Sequence, residues 1–464
     1  MNNLKLALRN LIRNRRRSLT TIFAMVIGMI ALLLFGGFIS SIYFGLQTGI
    51  VRTQGHLHIY KEGHLEFGSS RPTDYFIDDY KTVISTINND EYLKQNIQVI
   101  TPVVSLAGIA GNYSADSSST FIGSGVIPSD KNKMGLWDQH NLGLKQSSLS
   151  LSDDNISQGI VGLGMAKMLN LCESLEIEDC KGRPIAIVEG DVDEQVLSLQ
   201  SLLEDENLTE EKNTKKGIQI DLLASTGSGA PNVVSLAIIE AQKMPNKVLD
   251  DSFITMHLEQ AQKLVFDNKA RVSSIFIQLK RTEMIEKTQV YLRKLLSQSA
   301  LNQNFEVKNY TEFNSEFFQV VSMFIVIFIF IALMISLVVL FTTVNTLTMS
   351  VMERIPEIGS LRAMGLRRSA IRWQFLLEGA VIGIAGATLG VIVSIIFTQI
   401  FNLSGFSWSP PGSVESRDLK ILLFANPLLL IGTWLLMATV ATVSSLLPAR
   451  YASRMNIVNA IRHH

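Results

Sequence analysis

The sequence contains few cysteines, no excess charge and no common catalytic signature. Only two of its 464 residues are cysteine, and 41 Lys and Arg balance 41 Asp and Glu, so the formal net charge is zero. A neutral chain offers no electrostatic reason to bind a polyanion such as nucleic acid. Neither H-E-x-x-H nor G-x-S-x-G occurs, so the sequence does not indicate an enzyme active site.

Nucleotide-binding and metal-binding patterns are also missing. No G-x-x-x-x-G-K-[ST] occurs, and the short glycine pairs at 162–164 and 227–229 lack the lysine and hydroxyl that hold phosphates. His56 and His58, followed by Glu62 and His64, match no established metal spacing, and we interpret them as a solvated strand face. We therefore expect this chain to bind no metal or nucleotide cofactor.

Apolar sequence is abundant, because 47% of the residues are hydrophobic and the mean hydropathy is +0.25. Four runs, at 19–50, 317–352, 373–414 and 421–449, exceed the roughly 20 residues that span a bilayer. Only Glu378 carries a charge within them. The 317–352 run would measure about 54 Å as one helix, so we expect either a stalk beyond the membrane or a strong tilt. The predicted fold is an α-helical membrane protein with four transmembrane helices and a large α+β domain between helices 1 and 2.

The basic residues predict the orientation of the chain. Arginines and lysines cluster before the first run, between the second and third runs, and after the fourth. The positive-inside rule then places both termini and the 351–372 loop in the cytoplasm, and residues 51–315 outside. We expect a multi-pass membrane protein with an uncleaved signal anchor. Residues 1–17 are predicted to form a cytoplasmic amphipathic helix, with a disordered basic tail as the alternative.

The exported segment reads as mixed α and β structure. Its periodicity predicts helices at 75–88 and 283–297 and strands at 96–109, 120–127, 272–279 and 305–310. These elements come from both ends of the segment and could form one α+β subdomain, from about 51–130 and 263–315, with a β-rich insertion at about 131–262. The insertion contains Cys172 and Cys180, and an oxidising compartment would permit a disulfide between them.

The loop from Val351 to Arg372 carries five arginines and two glutamates between two apolar runs. Pro356 suits the first turn of a helix, and Gly365 suits the residue after its end, so a helix is predicted from near Pro356 to Met364. Ile355, Ile358 and Leu361 would form a narrow apolar stripe on it. The helix is either a docking element or part of an ordinary basic loop that fixes topology.

This loop and the run after it resemble the type VII ABC transporter permeases, the MacB, LolC–LolE and FtsX-like family. The resemblance rests on E-R-x-x-E-I-G-x-L-R-A-M-G at 353–365, on F-L-x-E at 375–378, and on four following glycines. It implies a protein of the bacterial inner membrane whose loop contacts a separate ATPase. The implied contact residues are Glu353, Arg354, Glu357, Ile358, Leu361, Arg362, Met364 and Gly365.

Two features of the third span follow from its residue types. Glu378 is either a functional residue in the membrane or the partner of a basic residue at the interface. The glycines permit close helix packing, against a neighbouring span or a second copy of the permease. They are Gly379, Gly383, Gly386 and Gly390.

The resemblance also implies an organisation and a function. The expected segments are an N-terminal helix, first span (18–50), MacB-like periplasmic domain (51–315), second span and stalk (316–352), coupling loop (353–372), third span (373–402), short outer loop (403–420), fourth span (421–449) and tail (450–464). The chain would not itself be catalytic, because ATP and Mg would bind to a cytoplasmic ATPase dimer. A second permease copy or homologue, membrane lipids and a periplasmic carrier or adaptor are the further implied partners.

The substrate remains open at the level of the sequence. We expect mechanotransmission that extracts a lipoprotein or lipid from the inner membrane. Drug or peptide efflux through a periplasmic adaptor and FtsX-like regulation of a cell-wall hydrolase are the alternatives. The large exported segment argues against hydrolase regulation, because the division permeases resemble a smaller version of this protein.

Overall fold

The structure is a computed structural model that describes residues 9, 13, 15–68, 75–144, 148–177, 180, 218–244, 246–299, 303–408 and 417–455. Most of the predicted N-terminal helix therefore lies outside the described residues.

Helices and strands alternate through the exported segment, and the described part of the last third of the chain is helical apart from one short pair of strands. The helices are α1 (Arg15–Gln54), α2 (His64–Phe67), α3 (Tyr80–Asn89), α4 (Glu91–Asn96), α5 (Pro128–Gly135), α6 (Leu163–Met168), α7 (Lys247–Ser252), α8 (Leu258–Phe266), α9 (Ile285–Gln298), α10 (Tyr310–Phe313), α11 (Ser315–Glu353), α12 (Ile355–Ala363), α13 (Arg368–Leu403), α14 (Pro427–Ser444) and α15 (Leu446–Arg454). The strands are β1 (Leu57–Lys61), β2 (Ile97–Asn112), β3 (Ser117–Val126), β4 (Gln158–Gly162), β5 (Ile218–Ser225), β6 (Pro231–Gln242), β7 (Phe253–His257), β8 (Ser274–Leu279), β9 (Phe305–Asn309), β10 (Ser407–Trp408) and β11 (Arg417–Asp418).

Four helices are long and apolar enough to cross a membrane: α1, α11, α13 and α14 with its continuation. The predicted fold class is confirmed, because a large α+β domain lies between the first and second of them. At 40 and 39 residues, α1 and α11 are each about 60 Å long, roughly twice the hydrocarbon thickness. Both therefore extend well beyond the bilayer.

The exported domain is built on one nine-stranded sheet in the order β3-β7-β4-β6-β5-β2-β8-β1-β9. Strand β2 is 16 residues long, and its two halves belong to different parts of the sheet. Its beginning pairs with β8, and its end pairs with β3 and β5. One strand thus joins the two predicted subdomains, whose boundaries stay a prediction.

The two stalk helices enter this sheet on neighbouring strands. Helix α1 ends at Gln54, and Gly55, with φ +82°, turns the chain into β1. Strand β9 leads through α10 into α11. Strands β1 and β9 are antiparallel partners, with Ile59 opposite Val307. A displacement of either helix relative to the other therefore acts directly on one strand pair.

The prediction that His56 and His58 form a solvated face is wrong, because both side chains are 0% exposed. The ring of His58 stacks on Phe276 at 4.5 Å, and that of His56 lies 5.1 Å from Trp137. These aromatic residues are distant in sequence, and the alternation of residues in β1 gave no sign that they would cover this face.

Candidate functional site

The coupling loop contains the predicted short helix. Helix α12 spans Ile355–Ala363, one residue earlier at each end than predicted, and Gly365 follows with φ +95°. Ile355 and Ile358 are buried, and Ile358 packs in a cluster with Phe375 of α13 and Ala452 of α15. Leu361, predicted to share that stripe, is exposed instead. The buried face of α12 is thus narrower than its sequence indicated.

One part of the outer surface of the loop is apolar. Met364 is 75% exposed, and Leu361 and Leu366 beside it are also exposed. We call these three residues the docking patch. An apolar patch at the tip of an otherwise charged loop is typical of a surface that a partner covers.

Two glutamates of the loop face basic residues of the same chain. Glu357 lies 3.0 Å from Arg13, and Glu353 forms an ion pair with Arg17, with all four side chains about half exposed. The sequence indicated both charge clusters but gave no sign that they meet. The predicted ATPase contact of Glu353 and Glu357 stays a prediction, and the geometry adds a connection to the base of α1.

One ion pair between the coupling loop and the third span is almost wholly buried. The guanidinium Nη1 of Arg354 donates to Oε1 of Glu378 at 2.9 Å, and both side chains are under 5% exposed. Arg354 sits between α11 and α12, whereas Glu378 is on α13. Removing one member of such a pair would leave a buried charge, which is strongly destabilising. Separating the coupling loop from the third span would therefore be costly.

Two further arginines bind residues at the C-terminal end of α15. Arg362 of α12 donates to the carbonyl oxygen of Met455, and Nε of Arg372 donates to the hydroxyl of Ser453 at 2.9 Å. The predicted ATPase contact of Arg362 stays a prediction, and its guanidinium also holds the residue that follows α15. Helix α12 is therefore connected to the residues before α1, to α13 and to the end of α15.

The glycines of α13 divide between two neighbours. A Cβ on Gly379 or Gly383 would lie within 3 Å of Ser445 or Ala441 at the end of the fourth span. A Cβ on Gly390 would lie 2.5 Å from the Cβ of Met29 in α1. Gly386 also faces Met25 of α1. The stripe thus packs α13 between two spans of its own chain.

At the other end of the stalks is a region we call the outer junction, formed by the ends of α1 and α11, strand β1, and the loop at 137–144. The amide of Gln47 donates to the Tyr310 hydroxyl at 2.8 Å. Arg52 donates to the carbonyl oxygens of Trp137 and Leu144 at 2.6 and 3.2 Å. Because Arg52 is in α1 and the carbonyls belong to the exported domain, these bonds fix the domain on the helix.

The two histidines of the outer junction have defined roles. Nδ1 of His56 accepts from the backbone N–H of Leu279 at 2.9 Å, which leaves Nε2 to donate towards Thr282. Nε2 of His58 donates to the Gln54 carbonyl at 3.0 Å, so Nδ1 accepts from Tyr60. With both ring nitrogens engaged in neutral histidines, neither side chain has a lone pair to offer a metal.

Burial favours the neutral forms of these histidines. It lowers the pKa of His56 to about 3 and that of His58 to about 4, with the Lys131 ammonium also opposing a charge on His58. Burial likewise lowers the pKa of Lys131 to about 8. The outer junction is therefore a site that disfavours added charge.

The two cysteines lie away from both ends of the stalks. Cys172 and Cys180 form a disulfide just after α6, and Cys172 is buried. The bridge closes a short loop in the region predicted as the insertion.

Comparison with known proteins accounts for the arrangement of the membrane part. Residues 317–457 match the family model described as FtsX-like permease C-terminal, which covers α11 to α15. This last third of the chain is therefore similar to the FtsX-like permeases. The matched region contains the coupling loop, the buried ion pair and the glycine stripe.

Among curated relatives, the ABC transporter permease YtrF of Bacillus subtilis is 36% identical over 120 residues, which is 25% of this chain and 28% of YtrF. The macrolide export ATP-binding/permease protein MacB of Campylobacter jejuni is 36% identical over 117 residues, 25% of this chain and 16% of MacB. The permease thus spans less than a third of either relative. A crystal structure of the periplasmic region of MacB from Actinobacillus actinomycetemcomitans covers 57% of this chain and 94% of its own, with 14% identity and a TM-score of 0.32, too low to support a conclusion.

Proposed function

We propose that this permease couples ATP hydrolysis by a separate cytoplasmic ATPase to movement of its exported domain. Two ATPase copies would dock on the coupling loops of two permease chains, identical or homologous, and ATP with Mg would bind only to the ATPase. Both termini would lie in the cytoplasm and the α+β domain in the periplasm, with the protein in the inner membrane.

The observation that carries this proposal is the continuous path from the coupling loop to one strand pair. At the inner end, Glu357 of α12 pairs with Arg13 just before α1, and Glu353 at the end of α11 pairs with Arg17 of α1. Arg354, between α11 and α12, pairs with Glu378 of α13. At the outer end, the same two stalk helices continue into β1 and β9, which are paired. A tilt of the coupling loop would therefore change the relative position of two hydrogen-bonded strands about 60 Å away.

We infer that the substrate is a lipoprotein or a membrane lipid. Helix α11 supports this choice, because large apolar side chains along it, among them Val326, Phe330 and Phe341, are more than half exposed. An apolar helix face that continues into a periplasmic domain suits a substrate that keeps its acyl chains in the bilayer. A periplasmic carrier would then receive the extracted molecule.

Efflux is the second candidate, because a relative of this chain is named as a macrolide exporter. The two candidates differ in the molecule that stimulates ATP hydrolysis in proteoliposomes. A triacylated lipopeptide should stimulate hydrolysis if the substrate is a lipoprotein, and a macrolide such as erythromycin should do so if the permease serves efflux. Stimulation by erythromycin alone would contradict the lipoprotein proposal.

A charge exchange tests the role of Glu357 in coupling. Glu357→Lys should reduce ATP hydrolysis in the complex reconstituted with the ATPase that co-purifies with the wild-type permease, while expression and membrane insertion stay normal. If Glu357 acts through Arg13, the added Arg13→Glu should restore hydrolysis. If Glu357 contacts the ATPase itself, Arg13→Glu should not restore it. Normal hydrolysis in Glu357→Lys would exclude Glu357 from coupling.

The docking patch offers a second test with a matched control. Met364→Glu should prevent the ATPase from co-purifying with the permease, because it places a charge at the centre of the proposed apolar contact. Val248→Glu is the control, since Val248 is similarly exposed at 72% but belongs to the exported domain. Equal recovery of the ATPase with both variants would contradict docking through this patch.

A further inference from the structure

Helix α15 presents two parallel rows of side chains on its exposed surface. Leu447, Tyr451 and Met455 follow one another at intervals of four residues, and Leu447 and Tyr451 are exposed. Arg450 and Arg454, also four apart and exposed, form the adjacent row. An apolar row beside a basic row is typical of a helix that lies at a membrane surface.

The opposite face of α15 fixes the helix on the membrane bundle. Ala449 and Ala452 are buried in the cluster that contains Phe375 of α13. Ser453 accepts the hydrogen bond from Arg372. The exposed rows are therefore held in a fixed orientation.

Between the rows is an open cavity of about 350 Å³, lined by Arg450, Tyr451, Arg454 and Met455. Among the residues that the structure describes, no ion pair includes Arg450 or Arg454, whereas Arg13, Arg17 and Arg354 each pair with a glutamate. The cavity thus has two guanidinium groups and no described carboxylate to balance them. Its chemistry suits an anion.

Neighbouring residues place the cavity at the level of the lipid head groups. Helix α15 directly follows α14, the last membrane span, and its Ser453 binds Arg372 at the start of α13. Trp373, the next residue of α13, is exposed. Exposed Trp and Tyr at the ends of spans are typical of the interface between hydrocarbon and water. An anion bound here could therefore carry acyl chains that enter the bilayer.

We propose that this cavity binds the phosphate of an anionic phospholipid, with one guanidinium on each side of the phosphate and the acyl chains along Leu447 and Tyr451. Arginine forms charge-assisted hydrogen bonds to phosphate oxygens, and basic pockets at the ends of spans bind acidic lipid head groups. The site depends on neither the ATPase nor the substrate. Only its assignment to the inner leaflet rests on the proposed orientation.

Lipid binding to the purified, delipidated full-length permease tests this site directly. Dioleoylphosphatidylglycerol is titrated into the permease in detergent, and native mass spectrometry measures the affinity of the first lipid bound. Arg450→Gln with Arg454→Gln should weaken it by about fivefold for each arginine removed. Binding of dioleoylphosphatidylcholine, which is zwitterionic, should be unchanged by the same substitutions.

A matched variant separates the cavity from general surface charge. Arg367→Gln with Arg368→Gln removes two exposed arginines of the same side that do not line the cavity, and it should leave phosphatidylglycerol affinity unchanged. Equal losses in the two double variants would overturn the proposal, as would unchanged affinity in the Arg450 and Arg454 variant.

A further variant and a soluble competitor complete the lipid-binding experiment. Arg450→Lys with Arg454→Lys keeps the charge and should retain most of the affinity, which protects the test if the glutamine variant fails to fold. Glycerol 1-phosphate, a water-soluble phosphate without acyl chains, should not displace the lipid at equal concentration. Displacement at equal concentration would indicate a site for a soluble anion and would overturn the lipid assignment.

Discussion

The two ends of the stalk helices differ in how far their polar groups are buried. At the outer junction, buried neutral histidines and amide groups form a hydrogen-bonded contact between helix and sheet, and the ion pair of Arg52 with Asp138 is largely buried. At the coupling loop, charged side chains predominate, and two of the three ion pairs are about half exposed. A dry junction resists rearrangement because each displaced polar group would lose its partner, whereas solvated ion pairs exchange partners at little cost. Under the proposed coupling function, the protein would be rigid where movement is delivered and adjustable where it begins.

The Arg354–Glu378 pair is the one ion pair of the three at the coupling loop that is buried. Breaking it should cause the largest loss of stability. Glu378→Ala should destabilise the permease by about 3–5 kcal/mol, because the Arg354 charge stays buried without its carboxylate. Unfolding in mixed micelles monitored by circular dichroism measures the loss. The double variant Arg354→Met with Glu378→Leu is the control and should recover most of the stability. If Glu378→Ala lost less than about 1 kcal/mol of stability, the coupling loop would have no rigid element at this pair.

Disrupting helix packing in the membrane bundle should cause the second-largest loss of stability. Gly390→Ala places a methyl group 2.5 Å from the Cβ of Met29, so α1 and α13 must separate, at a cost of about 1–3 kcal/mol. Gly432→Ala in α14 meets no atom within 4 Å and should be neutral or slightly stabilising. The same unfolding assay compares the two variants. Equal effects would mean that α1 and α13 are not tightly packed at Gly390.

Acid should weaken the outer junction before it weakens the coupling loop. The unfolded chain protonates its histidines below about pH 6.5, but folded His58 does so only near pH 4, so stability falls as the pH drops through this window. Between pH 7.5 and 5.5 the loss due to His58 should be about 1.4 kcal/mol. The stability of His58→Gln should therefore fall less over this range. Parallel pH profiles for the two proteins would contradict a neutral buried His58.

The exposed ion pairs should give the smallest change in stability. A double-mutant cycle with Arg17→Gln and Glu353→Gln should yield a coupling energy below about 1 kcal/mol, because both side chains are solvated. Arg16→Gln, a change in the adjacent exposed arginine, provides the reference for altered charge alone. A coupling energy of several kcal/mol would remove the contrast between the adjustable and rigid ends.

Much of this fold could be predicted because membrane spans have a strong local signal. Uncharged runs located the four spans, and Pro356 and Gly365 located α12 to within one residue. The strands β8 and β9 and the helix α9 also followed from periodicity. Each of these features depends on residues that are close together in sequence.

The candidate site was less predictable, because its contacts join distant parts of the chain. The resemblance singled out Glu353 and Glu357, but their partners Arg17 and Arg13 are more than 330 residues away. The exposure of His58 was predicted wrongly because an alternating strand does not reveal what covers each face. A single sequence shows which residue types are present but not which residues they contact in the folded protein.

The sequence by itself determined the number of spans, the positions of the charged loops and the small residues where helices approach, since hydropathy and backbone preference are local properties. Only the tertiary structure decided which glycine meets which span, that Arg354 rather than another arginine neutralises Glu378, and that the two stalks end on paired strands. These choices depend on the free energy of burying groups against one another, which exists only when the chain is folded.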